Sequence, residues 1–240
     1  MRLLLLTGGS RGIGRAIVQS LAIEGFEVIE FSRTAPHSYS VPTDFASPLE
    51  AHRTVSSALT SVDADQLGDL LVVSNAATLE PIGPVSRKSP DAILDNLSIN
   101  LASPVLFISA IIARFQTRAC RKVVANISAG AARHGVFGWS LYCAAKMGME
   151  NFMRSLAIEQ ESQLHPFIPV NIDPGVVDTG MHVVAASAPS ADFPAANRFA
   201  ARRAQGQLTA PEQAAAAITK LLLSPTLEPG GNYDAHDVAA

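Results

Sequence analysis

The sequence predicts an α/β fold, a doubly wound parallel β-sheet with helices on both faces, in a single domain. The apolar runs along the chain are mostly continuous and not alternating, which is the pattern of strands covered on both sides. Longer stretches with helical spacing separate these runs, and such alternation over a whole chain implies parallel strands joined by right-handed crossovers. The 240 residues suit one domain, and a composition of 48% hydrophobic and 16% charged residues supplies a large core.

The predicted strands are residues 2–7, 27–31, 70–74, 122–127 and 166–172, with a short one before Asp44 and another at 232–234. Residues 13–24, 48–59, 90–116, 141–160 and 211–223 read as helices. Thr209-Ala210-Pro211-Glu212 marks a helix start, with Pro in the first turn. Residues 181–207 have no strand period and are rich in Ala, Ser and Pro. A long connection of this kind in a compact domain is read as a helical lid over a substrate cleft, with a variable surface insertion as the alternative.

Composition excludes several classes of function. A net charge of -3 and a pI near 6.1 give no electrostatic footprint for nucleic acid or an anionic membrane. The two cysteines, Cys120 and Cys143, have neither the number nor the spacing of a disulfide framework or a zinc site, which predicts a reducing, cytoplasmic setting. His134, His165 and His236 show no metal spacing either. The run Leu3 to Leu6 is too short for a secretion signal or a membrane span and leads into a glycine-rich turn.

That turn, Thr7-Gly8-Gly9-Ser10-Arg11-Gly12-Ile13-Gly14, lies between the first strand and the first helix. Glycines let the backbone approach a bulky anion, and a helix start presents free N–H groups to a pyrophosphate. An acidic residue at the end of the second strand would take a ribose 2′-hydroxyl. Ser32 and Arg33 stand there instead. Arg33, with Arg11, is suited to a 2′-phosphate through charge-assisted bonds, so the expected cofactor is NADPH/NADP+. Tyr142 and Lys146, four apart on a predicted helix, share one face. An ammonium there is expected to lower the phenol pKa and make Tyr142 a general acid.

The spacing T-G-x-x-x-G-x-G followed by Y-x-x-x-K resembles the short-chain dehydrogenase/reductase family over nearly the whole chain. The resemblance implies a Rossmann-type fold and a carbonyl reductase acting on a small-molecule substrate. It makes Gly8, Ser10, Arg11, Gly12, Ile13 and Gly14 the pyrophosphate loop. Asp44 would contact the adenine, and Asn75 and Ala76 stand in a shortened family motif. Asn100 would hold a water in the proton relay, Lys146 would also bond the nicotinamide ribose, and Pro174, Gly175, Val177 and Thr179 would line the nicotinamide end. A homodimer or homotetramer is implied through residues 90–116 and 141–160.

Gly138-Trp139-Ser140-Leu141-Tyr142 and Asp173-Pro174-Gly175-Val176-Val177-Asp178-Thr179 resemble the branch of sepiapterin and benzil reductases. That likeness makes the substrate a ketone or vicinal diketone, Trp139 a wall of its pocket, and Asp237 an anchor for a pterin. The other readings are a 3-oxoacyl reductase or hydroxy-compound dehydrogenase of the same family, and a non-catalytic NADP-binding sensor. One departure bears on both catalysis and the sensor: thirteen residues before Tyr142, where the family has serine, stands Ala129. Ser128 would serve only if a bulge re-aimed it, since strand neighbours face opposite ways.

Overall fold

Seven strands form one sheet in the order β3-β2-β1-β4-β5-β6-β7, every pairing parallel. The computed structural model describes residues 1–238. The strands are β1 (Arg2–Thr7), β2 (Glu27–Ser32), β3 (Ser40–Pro42), β4 (Asp69–Ser74), β5 (Arg121–Ile127), β6 (Ile168–Asp173) and β7 (Asn232–Asp234). The helices are α1 (Gly12–Ile23), α2 (Pro48–Thr60), α3 (Pro90–Leu97), α4 (Ser103–Phe115), α5 (Ser140–Gln160), α6 (Gly180–Ala186), α7 (Ala196–Ala204) and α8 (Pro211–Leu223).

The continuous apolar strands are explained by two cores. Leu3 and Leu5 of β1 point to one side, where Val72, Phe107, Val124 and Met149 meet them under α2, α4 and α5. Leu4 and Leu6 point to the other, against Ile17, Val73, Ala125 and Ile218 under α1 and α8. A strand whose alternate side chains are both buried cannot carry a polar face.

Strand register levels the sheet at its C-terminal edge. Thr7 pairs with Ser74, Ser74 with Asn126, and Asn126 with Asn171, which puts one polar row across four strands. The strand order reverses between β1 and β4, so a crevice opens beyond that edge, the usual ligand position in such sheets.

The expected helix 90–116 is not uniform. A π-turn at Ser98–Ala102 separates α3 from α4. Pro104 has no N–H to give the Asn100 carbonyl four residues earlier, so a regular α ladder cannot pass through this point. The stretch Pro90–Phe115 is long and apolar enough, by length and composition alone, to cross a bilayer. Its Phe107, Ile108, Ile111 and Phe115 are spent on the sheet. Leu94 on α3, and Met147 and Ile158 on α5, remain exposed.

Candidate active site

The glycine loop is held from beneath by β4. Thr7 Oγ1 accepts from the N–H groups of Asn75 and Ala76, each at 3.0 Å. The Asn75 amide donates to the carbonyls of Thr7 and Gly8, at 3.2 and 3.0 Å. Asn75 therefore shapes the loop, and its side chain is already used. A Cβ at Gly14 would overlap the Gly8 carbonyl oxygen, so only glycine lets α1 start this close to the turn. No side chain caps α1 at Arg11, which leaves its first-turn N–H groups to an anion from outside. Ser10 and Ile13 lie half-buried on either side of Arg11 and Gly12. The loop fits a pyrophosphate by construction.

At the end of β2, one residue escaped the sequence reading. Glu30 is fully buried, with Oε1 accepting from Gly9 N–H at 2.8 Å and Oε2 from the Ser32 hydroxyl at 3.1 Å. Ser32 Oγ also accepts from Ala35 N–H at 3.2 Å, so its hydrogen and one of its two lone pairs are used inside the protein. A glutamate inside an apolar run, two residues from the strand end, was the available signal. The side chains of Arg11 and Arg33 are exposed and form no ion pair or hydrogen bond among the described residues. Asp44, exposed beyond β3, accepts from Ala46 N–H in a local turn.

The catalytic candidates stack along α5. Tyr142, Lys146 and Glu150 follow at helical spacing on its buried face. Lys146 Nζ donates to the Ile127 carbonyl at 2.6 Å and lies 5.6 Å from the Tyr142 ring centroid. Burial pushes the lysine down to about 8, against the upward pull of the Asp173 and Glu150 carboxylates. The expected lowering of the Tyr142 pKa is not found. Burial, and then the charges of Asp173 and Cys143, raise it well above the ordinary tyrosine value. In this desolvated site the phenol stays neutral because an oxyanion there would lose its water and face a carboxylate.

Asp173 was missed by sequence reasoning as a site residue. It ends β6, is buried, accepts from Arg133 Nη2 at 2.6 Å and from Gly175 N–H at 3.0 Å. An acid ending an apolar strand, immediately before Pro174-Gly175, was its signal.

Asn100 sits in the π-turn with both amide hydrogens used. Its Oδ1 accepts from Thr78 N–H at 2.9 Å, and its Nδ2 donates to Thr78 O at 2.9 Å and Asn96 Oδ1 at 3.1 Å. Its backbone carbonyl is denied the usual donor four residues on, because Pro104 has no N–H.

Ser128 is corrected by the geometry. Its hydroxyl donates to Glu150 Oε1 at 2.6 Å, and Ala129 is plainly extended at φ -164 and ψ 157, with no bulge to re-aim the serine. Ala129, not Ser128, packs against the cluster that contains Tyr142.

Beyond β6, Pro174 and Val177 are buried and Gly175 half-buried, with Val177 bridged to Thr209. Thr179 begins α6 and lies beside Gly12 of the glycine loop. Residues 181–207 fold as most of α6, a turn, and α7. Their Phe193 stacks on Trp139 at 4.7 Å and 12°, while Phe199 meets the same indole edge-on at 5.4 Å. Trp139 in turn stands edge-on to Tyr142 at 5.8 Å. The turn is fastened by Arg87, whose Nη2 reaches Asp192 Oδ1 at 2.8 Å and Ala191 O at 3.0 Å. Gly138, at φ +85, lets Asp192 approach where any Cβ would collide with its carbonyl. Asp237 is exposed on the final helical turn and makes no hydrogen bond or ion pair among the described residues. No group of His, Cys, Asp and Glu among the described residues is arranged to hold a metal.

Comparison with known proteins agrees with this geometry. Residues 2–189 match the family model described as short chain dehydrogenase. The chain is 34% identical over 239 residues to a benzil reductase ((S)-benzoin forming) of Bacillus subtilis, covering 98% of each. It is 29% identical over 260 residues to a sepiapterin reductase of Xenopus tropicalis, covering 98% of this chain and 96% of that one. The crystal structure of the KRED1-Pglu enzyme superposes with a TM-score of 0.82 at 24% identity, over 97% of this chain and all of that one.

Proposed function

The chain belongs to the short-chain dehydrogenase family, and from that premise we propose that it is an NADPH-dependent reductase of ketones or vicinal diketones, with Tyr142 as the general acid. The observation that carries the reading is the buried Tyr142–Lys146 pair beside an aromatic wall, at the sheet edge where the glycine loop also ends. The bound cofactor supplies the hydride. Gly8, Gly12 and Gly14 shape the turn for its pyrophosphate, and Arg11 and Arg33 answer the 2′-phosphate. Pro174, Gly175, Val177 and Thr179 shape the far end of the same crevice, and Asp44 and Ala76 flank the adenosine half.

Tyr142 is protonated in this site, as a proton donor must be, while its raised pKa makes it a weaker acid than a free phenol. A phenol held neutral by burial and by Asp173 has a proton to give when a carbonyl oxygen gains charge. Lys146 holds the Ile127 carbonyl and orders the tyrosine's side of the pocket. Protons return to Tyr142 by way of Lys146 and a water on the Asn100 backbone carbonyl. Catalysis then proceeds without the serine hydroxyl that Ala129 lacks, at a slower rate. Leu94, Met147 and Ile158 are the apolar positions by which α3 and α5 meet a second copy.

The test follows NADPH and NADH absorbance separately with benzil, sepiapterin, simple aromatic ketones and an acyl thioester. NADPH consumption with the diketone supports the reading, and consumption with the thioester alone replaces it by a 3-oxoacyl reductase. Ala129 also favours a second reading, an NADP-binding sensor. Tight NADPH binding with no turnover across the panel would establish that one.

A further inference from the structure

The cluster over Tyr142 is aromatic and aliphatic except at two points. Trp139 Nε1 is buried with no hydrogen-bond partner, and so are both ring nitrogens of His182 on α6. The residues are 9% and 4% exposed. His182 packs on Phe199 at 5.2 Å between ring centroids, and Phe199 packs on Trp139 at 5.4 Å, so one phenyl ring touches both side chains that carry unpartnered nitrogens. Buried polar groups are nearly always answered, so an unanswered one calls for a partner from outside the chain, such as water, an ion or a ligand. Two in one small apolar cluster beside the proton donor describe a ligand with rings and more than one polar atom.

We propose that Trp139 Nε1–H and His182 form a polar subsite for the second oxygen of a vicinal diaryl diketone, whose first oxygen faces Tyr142. The proposal rests on the reductase reading and names its substrate class. The two oxygens of such a diketone sit on adjacent carbons, so an oxygen on Tyr142 brings the other within the breadth of one ring, where the indole stands edge-on. The indole N–H is a donor only. A neutral imidazole offers one donor and one acceptor, and burial, the largest influence on His182, favours that neutral form. An aryl group of the substrate can pack on Trp139 in the same parallel geometry that Phe193 shows.

The chain has a single tryptophan, which makes Trp139 its own reporter. With NADP+ present, benzil and benzyl phenyl ketone are titrated against its fluorescence. The second compound keeps both rings and lacks one carbonyl. The wild-type protein is expected to bind benzil about tenfold more tightly, the scale of one satisfied buried hydrogen bond. His182→Leu, checked for unchanged thermal melting, should close most of that gap and leave the monoketone affinity nearly unaltered. Trp139→Phe, followed by equilibrium dialysis, should do the same. Equal binding of the two ketones by the wild type, or a gap that survives in both variants, overturns the subsite. A gap closed by the variants without any NADPH oxidation would instead retain the subsite and sink the reductase reading.

Discussion

Around the glycine loop the crevice is made of backbone, whereas beneath residues 181–207 it is made of side chains. Gly14 approaches the Gly8 carbonyl because it has no Cβ, Gly8 lies close against Ala76 for the same reason, and Asn75 and Thr7 spend their polar groups holding that turn. Across the crevice, Trp139, Phe193 and Phe199 define the space by ring against ring, and the connecting turn hangs on Arg87 and Gly138. The first construction tolerates few sequences and suits a ligand that never changes. The second can be rebuilt by single substitutions, which is how one fold accepts different carbonyl compounds.

The comparison can be broken most forcefully at the point where the two halves meet. Tyr142→Phe should lower ketone reduction by about a hundredfold to ten-thousandfold, the range for loss of a general acid, with NADPH affinity nearly unchanged in a fluorescence titration. An equal loss of cofactor binding would mean that the tyrosine holds the crevice together and does not serve the chemistry.

Charge at the cofactor end comes next. Arg11→Ala with Arg33→Ala should weaken NADPH binding by about tenfold or more, as expected for losing charge-assisted bonds to a phosphate, while NADH binding stays level. Calorimetry with both cofactors reads this directly, and parallel losses would assign the arginines to the pyrophosphate.

The pH dependence separates Lys146 from Tyr142. Lys146 is lowered to about 8 from its ordinary value, so its ammonium is lost as pH rises through that region. Its depressed folded-state pKa also means that the unfolded chain binds more protons between about 8 and 10.5, and its contribution to stability rises over that window. Tyr142 is raised, so it keeps its proton throughout. Reductase kcat/KM should therefore fall with an apparent pKa near 8, and Asp173→Asn should move that break lower by removing a charge that supports the ammonium. A profile flat to pH 10 would remove Lys146 from the working site.

The smallest effect is expected at the fastening of the turn. Arg87→Ala removes an ion pair with a largely exposed arginine and should alter KM for a bulky diketone by only about twofold to fivefold, given the weakness of such pairs. A similar change for a small ketone would indicate a general loss of stability.

The same contrast explains what could be read in advance. β1 at Arg2–Thr7 and α8 at Pro211–Leu223 were legible to the residue, because apolar period and an N-terminal proline are local signals. The glycine loop was legible for the same reason. The π-turn at Ser98–Ala102 was not, although Pro104 signalled a break in the helix. Glu30, Arg133, Asp173 and Glu150 also meet partners distant in sequence, which no local pattern reveals, and so does Ser128 in its bond to Glu150. Phe193, Phe199 and His182 lie in a segment without strand period, where sequence does not say which rings face inward.

The most direct test places the wild-type chain beside Ala129→Ser and measures benzil-dependent oxidation of NADPH and of NADH. This account predicts oxidation by both proteins, strongly preferring NADPH, with the serine raising kcat by about tenfold to a hundredfold as a restored donor to the developing oxyanion. No turnover by either protein, with NADPH bound tightly throughout, would contradict it.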